Sequence, residues 1–141
     1  MSKKISIKDS IALVSGANRG IGKAITEELL NKGIRKVYAG ARKLESLTEL
    51  KEKYGDRLEL VQLDVTNQAS VDNAAKLASD ATMLINNAGV LAHGGYKSEN
   101  MLDSINQNME VNVLGVARLT QAVLPNIENK PNATIATVSS V

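Results

Sequence analysis

Eight residues near the start of the chain, Ser15-Gly16-Ala17-Asn18-Arg19-Gly20-Ile21-Gly22, have the types and spacing to hold an anion. Glycine carries no Cβ, so backbone in such a turn can approach a phosphate closely. A helix that opens there also presents unpaired N–H groups and the positive end of its dipole. The chemistry implied is recognition of a dinucleotide pyrophosphate. An ordinary tight turn can carry the same glycines, so the reading requires a strand before them and a helix after them. A nucleoside triphosphatase loop does not fit. Lys23 follows Gly22, but the glycine spacing differs, and Ala24 stands where a Ser or Thr would hold magnesium.

The choice of nucleotide can be read from two further side chains. A site that selects NAD places an Asp or Glu about 20 residues beyond the glycines, to accept from the ribose 2′-hydroxyl. Here Ala41 and Arg42 occupy that place, and Arg19 projects from the turn itself. Two guanidiniums without a carboxylate match a 2′-phosphate, which Arg binds bidentately. The expected cofactor is NADP(H) rather than NAD(H). The mundane alternative is a solvated Arg42 at a helix start and an exposed Arg19 in a turn.

These groups act together only if the chain brings them to one edge. Apolar runs alternate with helical patterns along its length, which predicts βα units around a parallel sheet. Strands are expected at residues 11–15, 36–40, 58–63, 82–86 and 133 to about 139. The first helix follows the glycine turn with Ile21, Ile25 and Leu29 on one face and stops at Gly33. The second carries Leu44, Leu47 and Leu50 and ends at Tyr54-Gly55. The third, 67–79, has a small-residue face of Val71, Ala74, Ala75 and Ala78. The longest, about 101–124, carries Met101, Ile105, Met109, Val113, Val116 and Val123 as its apolar stripe, and Pro125 is expected to mark the way out of it.

In an open parallel sheet, ligands lie outside the carboxyl ends of the strands. The expected tips at that edge are the glycine turn, Ala41-Arg42, Asp64, Asn86-Asn87-Ala88-Gly89 and Ser139-Ser140. Asn112 falls on the apolar stripe of the long helix, three residues after Met109. A buried amide without partners costs about 1–3 kcal/mol, so Asn112 is expected to be bonded.

Composition narrows the class. A chain of 141 residues, 43% apolar and without Phe or Trp, reads as one domain spanning 1–141, with a core of Ile, Leu, Val, Ala and Met. Its net charge of +2 is spread along the chain, so neither a nucleic acid nor an anionic membrane is an expected partner. No stretch approaches the roughly 18 apolar residues of a membrane span, the first ten residues lack the apolar centre of a secretory leader, and a cytoplasmic location is expected. With no Cys and only His93, neither disulfides nor a metal site are expected to organise the fold, and His93 reads as a solvated loop residue. Residues 135–141 read as a strand entering its C-terminal turn, so the chain is expected to be part of a longer polypeptide, its sheet cut after about the fifth strand.

Together these motifs resemble the short-chain dehydrogenase/reductase family across essentially the whole chain. The family's turn, Thr-Gly-x-x-x-Gly-x-Gly, is matched by residues 15–22 with Ser for Thr. Its Asn-Asn-Ala-Gly element is matched by 86–89, its aspartate after the third strand by Asp64 and its helix asparagine by Asn112. The resemblance implies an α/β, Rossmann-type doubly wound parallel sheet. It implies cofactor contacts from Ser15, Gly16, Asn18, Arg19, Gly20, Ile21, Gly22, Arg42, Asp64, Val65, Asn87, Ala88 and Gly89, with Asp64 at the adenine ring and Asn86 at the wall beside the ribose. It also implies catalytic roles for Asn112, which would bend the helix and hold a water of the proton relay, and for Ser140, which would donate to the substrate oxygen as it gains charge. Asn112 as a cap within the helix packing stays open, and Ser139 and Ser140 could exchange by one position of strand register.

Members of the family then carry a Tyr and, four residues later, a Lys. Tyr38, Tyr54 and Tyr96 are followed at that spacing by Arg42, Leu58 and Asn100, and Tyr38 is expected on the strand edge given to the cofactor. Positioned acid and base groups contribute about 10²- to 10⁴-fold each, so the chain as written is expected to be inactive. The parent polypeptide is expected to be an NADP(H)-dependent oxidoreductase acting on a small carbonyl or alcohol substrate. A noncatalytic NADP(H)-binding or sensing module and an inert folding fragment are the alternatives. The resemblance further implies a homodimer or tetramer, with the long helix contributing to one contact, though its stripe could equally be core.

Overall fold

The computed structural model describes residues 4–139. The short apolar runs form five parallel strands, β1 (Ile11–Ser15), β2 (Lys36–Ala41), β3 (Leu58–Gln62), β4 (Met83–Asn86) and β5 (Thr134–Thr137), in the order β3-β2-β1-β4-β5. The chain builds outward from β1 to β3, then crosses back to β4 on the other side. The crevice beside β1 is therefore the switch point, where an open α/β sheet binds its ligand.

The unbroken run of β1 follows from burial on both faces. Ile11 and Leu13 join one core with Leu84, Leu119, Val123 and Ile127, while Ala12 and Val14 join the other with Leu30, Val37, Leu47 and Ile85. The first core lies under α3 (Gln68–Leu77) and α5 (Gly115–Ile127), the second under α1 (Gly20–Asn31) and α2 (Thr48–Tyr54). The sheet is thus doubly wound, as expected.

Helix α1 is rotated by one residue from the expected face. It buries Gly22, Thr26 and Leu30, whereas Ile25 and Leu29 pack at the flank and Ile21 is 62% exposed. The cause is the glycine turn. A Cβ on Gly22 would collide with the Gly16 carbonyl and the Asn87 carboxamide, so this position must face inward. Thr26 tolerates burial because its hydroxyl donates to the Gly22 carbonyl at 2.8 Å. In the next connection a 3-10 turn, Leu44–Leu47, precedes α2; Leu47 and Leu50 are buried, while Leu44 stays partly exposed. Helix α3 starts at an Asn67 cap, whose Oδ1 accepts from the Ser70 N–H at 2.9 Å, and it buries Val71, Ala74 and Ala75.

The long helix departs most from its periodicity. It runs as α4 (Met101–Met109), a π turn (Glu110–Leu114) and α5. The wider π turn shifts the phase, and the buried positions beyond it are Gly115, Leu119, Val123 and Ile127. The expected stripe is split: Val123 is buried and Met101 and Val116 partly so, whereas Ile105, Met109 and Val113 are about half exposed, and only Ser104 of α4 is buried. Pro125 lies inside α5 rather than marking the way out. The Gln121 carbonyl, which loses its helical donor to the proline, belongs to an exposed residue.

Candidate functional site

A cavity of about 1040 Å³ opens at the carboxyl ends of β1 to β4. Its floor is the glycine turn. Gly16 and Gly20 have φ of 65° and 54°, in the left-handed region that glycine enters freely. A Cβ at Gly20 would meet nothing within 4 Å, so this face of the turn is open to the cavity. Arg19, the residue before α1, is extended and makes no capping bond through its side chain. The first-turn N–H groups, which helix geometry leaves without an intrahelical acceptor, therefore remain available to an anion. These features fit a pyrophosphate.

Two expected cofactor residues, Ser15 and Gly22, build the turn rather than line the cavity. Ser15, 1% exposed, accepts at Oγ from the N–H groups of Asn87 and Ala88 at 3.0 and 2.9 Å. Asn87 returns two bonds, its Nδ2 donating to the carbonyls of Ser15 and Gly16 at 3.2 and 3.1 Å. This reciprocal lock fixes the β1 and β4 tips to each other, with Gly22 wedged behind it. Gly16, Asn18, Arg19, Gly20 and Ile21 line the cavity from the turn, as do Asn87, Ala88 and Gly89 from β4.

The β2 tip is cationic. Arg42 and Arg19 are exposed at the cavity rim, and among the described residues neither forms an ion pair. Lys43 and Ser46 join them, which sequence reasoning missed although Lys43 is adjacent to Arg42. Ala41 also lines this wall, and no carboxylate does so from the β2 tip.

Asp64 and Val65 line the cavity after β3. Asp64 Oδ1 accepts from the Thr66 hydroxyl at 2.7 Å and the Thr66 N–H at 3.0 Å. These bonds, the hydroxyl's first, hold its carboxyl below the usual carboxylate range against the opposing effect of burial, and the charges of Arg42 and Arg118 act in the same direction. Behind Val65, Gly115 lets α5 approach so closely that a Cβ would come within 2.6 Å of the valine side chain. Arg118 Nη1 donates to the Val65 carbonyl at 2.6 Å, and its Nη2 is paired with Glu110 at 2.7 Å.

The remaining wall pairs Gly89 and Val90 with Gln107, Glu110 and Val111 of the long helix. These helix residues were hidden from sequence reasoning by the apolar stripe, which follows other positions. Asn112 is bonded, as expected, but it is exposed and off the cavity wall. Its Oδ1 accepts from the Val90 N–H at 2.8 Å and its Nδ2 donates to the Val90 carbonyl at 2.8 Å. Asn86 is 3% exposed, lies under α5 with Nδ2 donating to Thr120 at 3.0 Å, and does not line the cavity. Ser140 lies outside the described residues; Ser139 is exposed and does not line the cavity.

Tyr38 is not at the cofactor edge. Its hydroxyl donates to Asp80, in the connection before β4, at 2.6 Å, and accepts from Lys36 at 2.9 Å, at the amino end of the sheet. The one-strand-two-ends ambiguity arises because sequence spacing tells where a residue lies on a strand and not which way a long side chain leans.

Residues 10–141 match the family model described as short chain dehydrogenase. The NADP-dependent 3-hydroxy acid dehydrogenase YdfG of Escherichia coli O6:H1 is 34% identical over 134 residues, 92% of this chain and 54% of that protein. A short chain dehydrogenase from Burkholderia cenocepacia J2315, solved in complex with NADP, superposes with a TM-score of 0.87 at 36% identity, covering 96% of this chain and 55% of that one. A short-chain dehydrogenase from Streptomyces avermitilis gives 0.84 at 33% identity, covering 93% and 50%. The chain spans about half the length of the curated relatives it matches.

Proposed function

The chain belongs to the short chain dehydrogenase family, and from that premise we propose that it carries the NADP(H) site of an oxidoreductase that moves hydride between NADPH and a small carbonyl or alcohol. The observation that carries this reading is the pair Arg19 and Arg42, uncommitted to any carboxylate among the described residues, on a cavity rim with no acidic side chain at the β2 tip. In this reading the two guanidiniums hold the 2′-phosphate and the N–H groups of Gly20 and Ile21 hold the pyrophosphate. The Asp64 carboxylate, kept ionised, accepts from the adenine amino group, and Asn87, Ala88 and Gly89 form the ribose wall. Bound there, NADPH supplies the hydride.

Asn112 keeps one amide proton and one acceptor position beyond its bonds to Val90, enough to hold a water, and Ser140 supplies a hydroxyl to the substrate oxygen. None of the three tyrosines has a Lys four residues on. By themselves, then, these 141 residues bind nucleotide and transfer hydride slowly. The same feature favours the second reading, a noncatalytic NADP(H)-binding or sensing module. In the same reading the protein is cytoplasmic and acts as a homo-oligomer. Leu102, Ile105, Met109 and Val113, each about half exposed or more, give the long helix an apolar outer stripe suited to a second copy. Among the described residues no helix is long and apolar enough to cross a membrane.

The test is a titration of the chain with NADPH and with NADH, followed by nicotinamide fluorescence. Saturable binding with NADPH favoured about tenfold or more is expected. Equal affinities would remove the guanidinium argument, and no binding of either would remove the site.

A further inference from the structure

The segment that leaves β4 has no strand beside it, yet its backbone is bonded to side chains of the long helix. Asn112 closes its two-bond ring with Val90, and Asn108 closes a second with Ala92: Oδ1 accepts from the Ala92 N–H at 3.0 Å, and Nδ2 donates to the Ala92 carbonyl at 3.0 Å. One turn further back, the buried hydroxyl of Ser104 donates to the His93 carbonyl at 3.1 Å. Gly94 lies against the same turn, where a Cβ would come within 2.9 Å of that hydroxyl.

The ladder is a match of two periods. Residues four apart on a helix lie on one face about 6 Å apart, and residues two apart on an extended chain turn the same backbone groups to one side at about 6.6 Å. Asn112 and Asn108 therefore meet Val90 and Ala92 as the two segments run in opposite directions. The carboxamides act as a strand edge for backbone that would otherwise lack partners.

Gly89 and Val90 are cavity wall, and so are Gln107 and Val111, the residues beside the two asparagines. The β2 and β4 tips flank β1, so this wall and Arg42 are separated by two strand spacings, about 10 Å. We propose that Asn108 is a positioning residue of this cavity: through Ala92 it fixes the Gly89–Val90 wall at the end that receives the nicotinamide half of the nucleotide. The inference rests on the NADP(H) reading above. Asn108 itself touches no cavity atom, and its effect passes through the segment it holds.

The test uses the whole chain and two readouts. In Asn108→Ala, the Ala92 amide is expected to exchange with solvent about tenfold faster by NMR, and the Val90 amide, then held by Asn112 alone, to exchange faster by a smaller factor. NADPH is expected to bind about three- to tenfold more weakly, with binding of adenosine 2′,5′-bisphosphate, which reaches only the Arg42 end, unchanged. Asn108→Asp, which keeps the acceptor for the Ala92 N–H and loses the donor, is expected to fall between. Unchanged Ala92 exchange, unchanged NADPH affinity, or equal weakening of both ligands would overturn the role of Asn108. Failure of the wild-type chain to bind either ligand would instead overturn the nucleotide reading, and with it this role.

Discussion

The Arg118 guanidinium bridges two walls of the cavity: it donates to the Val65 carbonyl at 2.6 Å from one nitrogen and to the Glu110 carboxylate at 2.7 Å from another. Because the guanidinium is planar, the two bonds fix the β3 tip and the π turn in one geometry. Arg118→Met leaves a backbone carbonyl without its donor and frees Glu110, whose charge then repels phosphate. Urea unfolding is expected to show a loss of about 1–2 kcal/mol, discounted for the partial exposure of the pair. Arg118→Lys should recover only part of it. A Met variant as stable as wild type would show that the bridge contributes nothing.

Arg42→Ala removes one of the two rim guanidiniums. NADPH affinity should fall about tenfold or more, with NADH affinity unchanged. Because this contribution is electrostatic and exposed, raising salt should narrow the difference between wild type and variant. Parallel losses for both nucleotides would mean that Arg42 shapes the cavity and does not read the 2′-phosphate.

Gly22→Ala places a methyl where the Gly16 carbonyl and the Asn87 carboxamide already stand. Neither neighbour can retreat without breaking the lock between Ser15 and Asn87. The expected cost is roughly 3 kcal/mol, read as a fall in Tm by circular dichroism, together with loss of nucleotide binding. Gly20→Ala is the control. Its Cβ would point into open space, but at φ 54° the backbone penalty alone should cost about 1 kcal/mol.

The Lys36–Tyr38–Asp80 cluster sets a pH dependence. Burial works against the Asp80 charge, but the bonds from Lys36 and Tyr38 hold its carboxyl below the ordinary range. Asp80 and Tyr38 hold the Lys36 ammonium above its own. The depressed carboxyl contributes stability above its unfolded value, about pH 4, and loses it as pH falls through the folded value. The raised ammonium contributes below its unfolded value, about pH 10, and loses it as pH rises through the folded one. Burial, and then Asp80, keep the Tyr38 phenol protonated as a donor. Tyr38→Phe should therefore cost about 1 kcal/mol between roughly pH 5 and 9, with the gap to wild type closing below pH 4 in urea titrations. A gap that stays constant into acid would assign the effect to packing.

Ile105→Asp tests the apolar outer stripe of the long helix. Ile105 is 50% exposed and outside both cores, so the fold should survive the charge. In sedimentation velocity the wild-type chain is expected to associate and the variant to be monomeric. Identical sedimentation would leave the stripe without a partner.

The fold was largely legible in the residues because its cues are local. The run Ile11-Ala12-Leu13-Val14 is apolar at every position, as only a strand covered on both faces needs to be. Val71, Ala74, Ala75 and Ala78 recur at helical spacing on a helix that packs against the sheet. The glycines that must accept a left-handed backbone, and the strand tips that share an edge with them, follow from chain order and strand direction alone.

The tertiary structure decided what local cues cannot hold. Periodicity says which residues share a face but not whether that face is covered. Ile105, Met109 and Val113 therefore share one apolar stripe with Val123 in sequence, yet they lie half exposed while Val123, beyond the π turn, is buried with Leu119 and Ile127. Distant partners have no signature in spacing. The hold of Arg118 on Val65, of Asn108 on Ala92 and of Tyr38 on Asp80 joins positions 53, 16 and 42 residues apart. Sequence alone determined the sheet and its ligand-binding edge, which depend on backbone direction and side-chain size; the walls of the cavity depend on which polar group finds which backbone, and that was settled only when the helices docked.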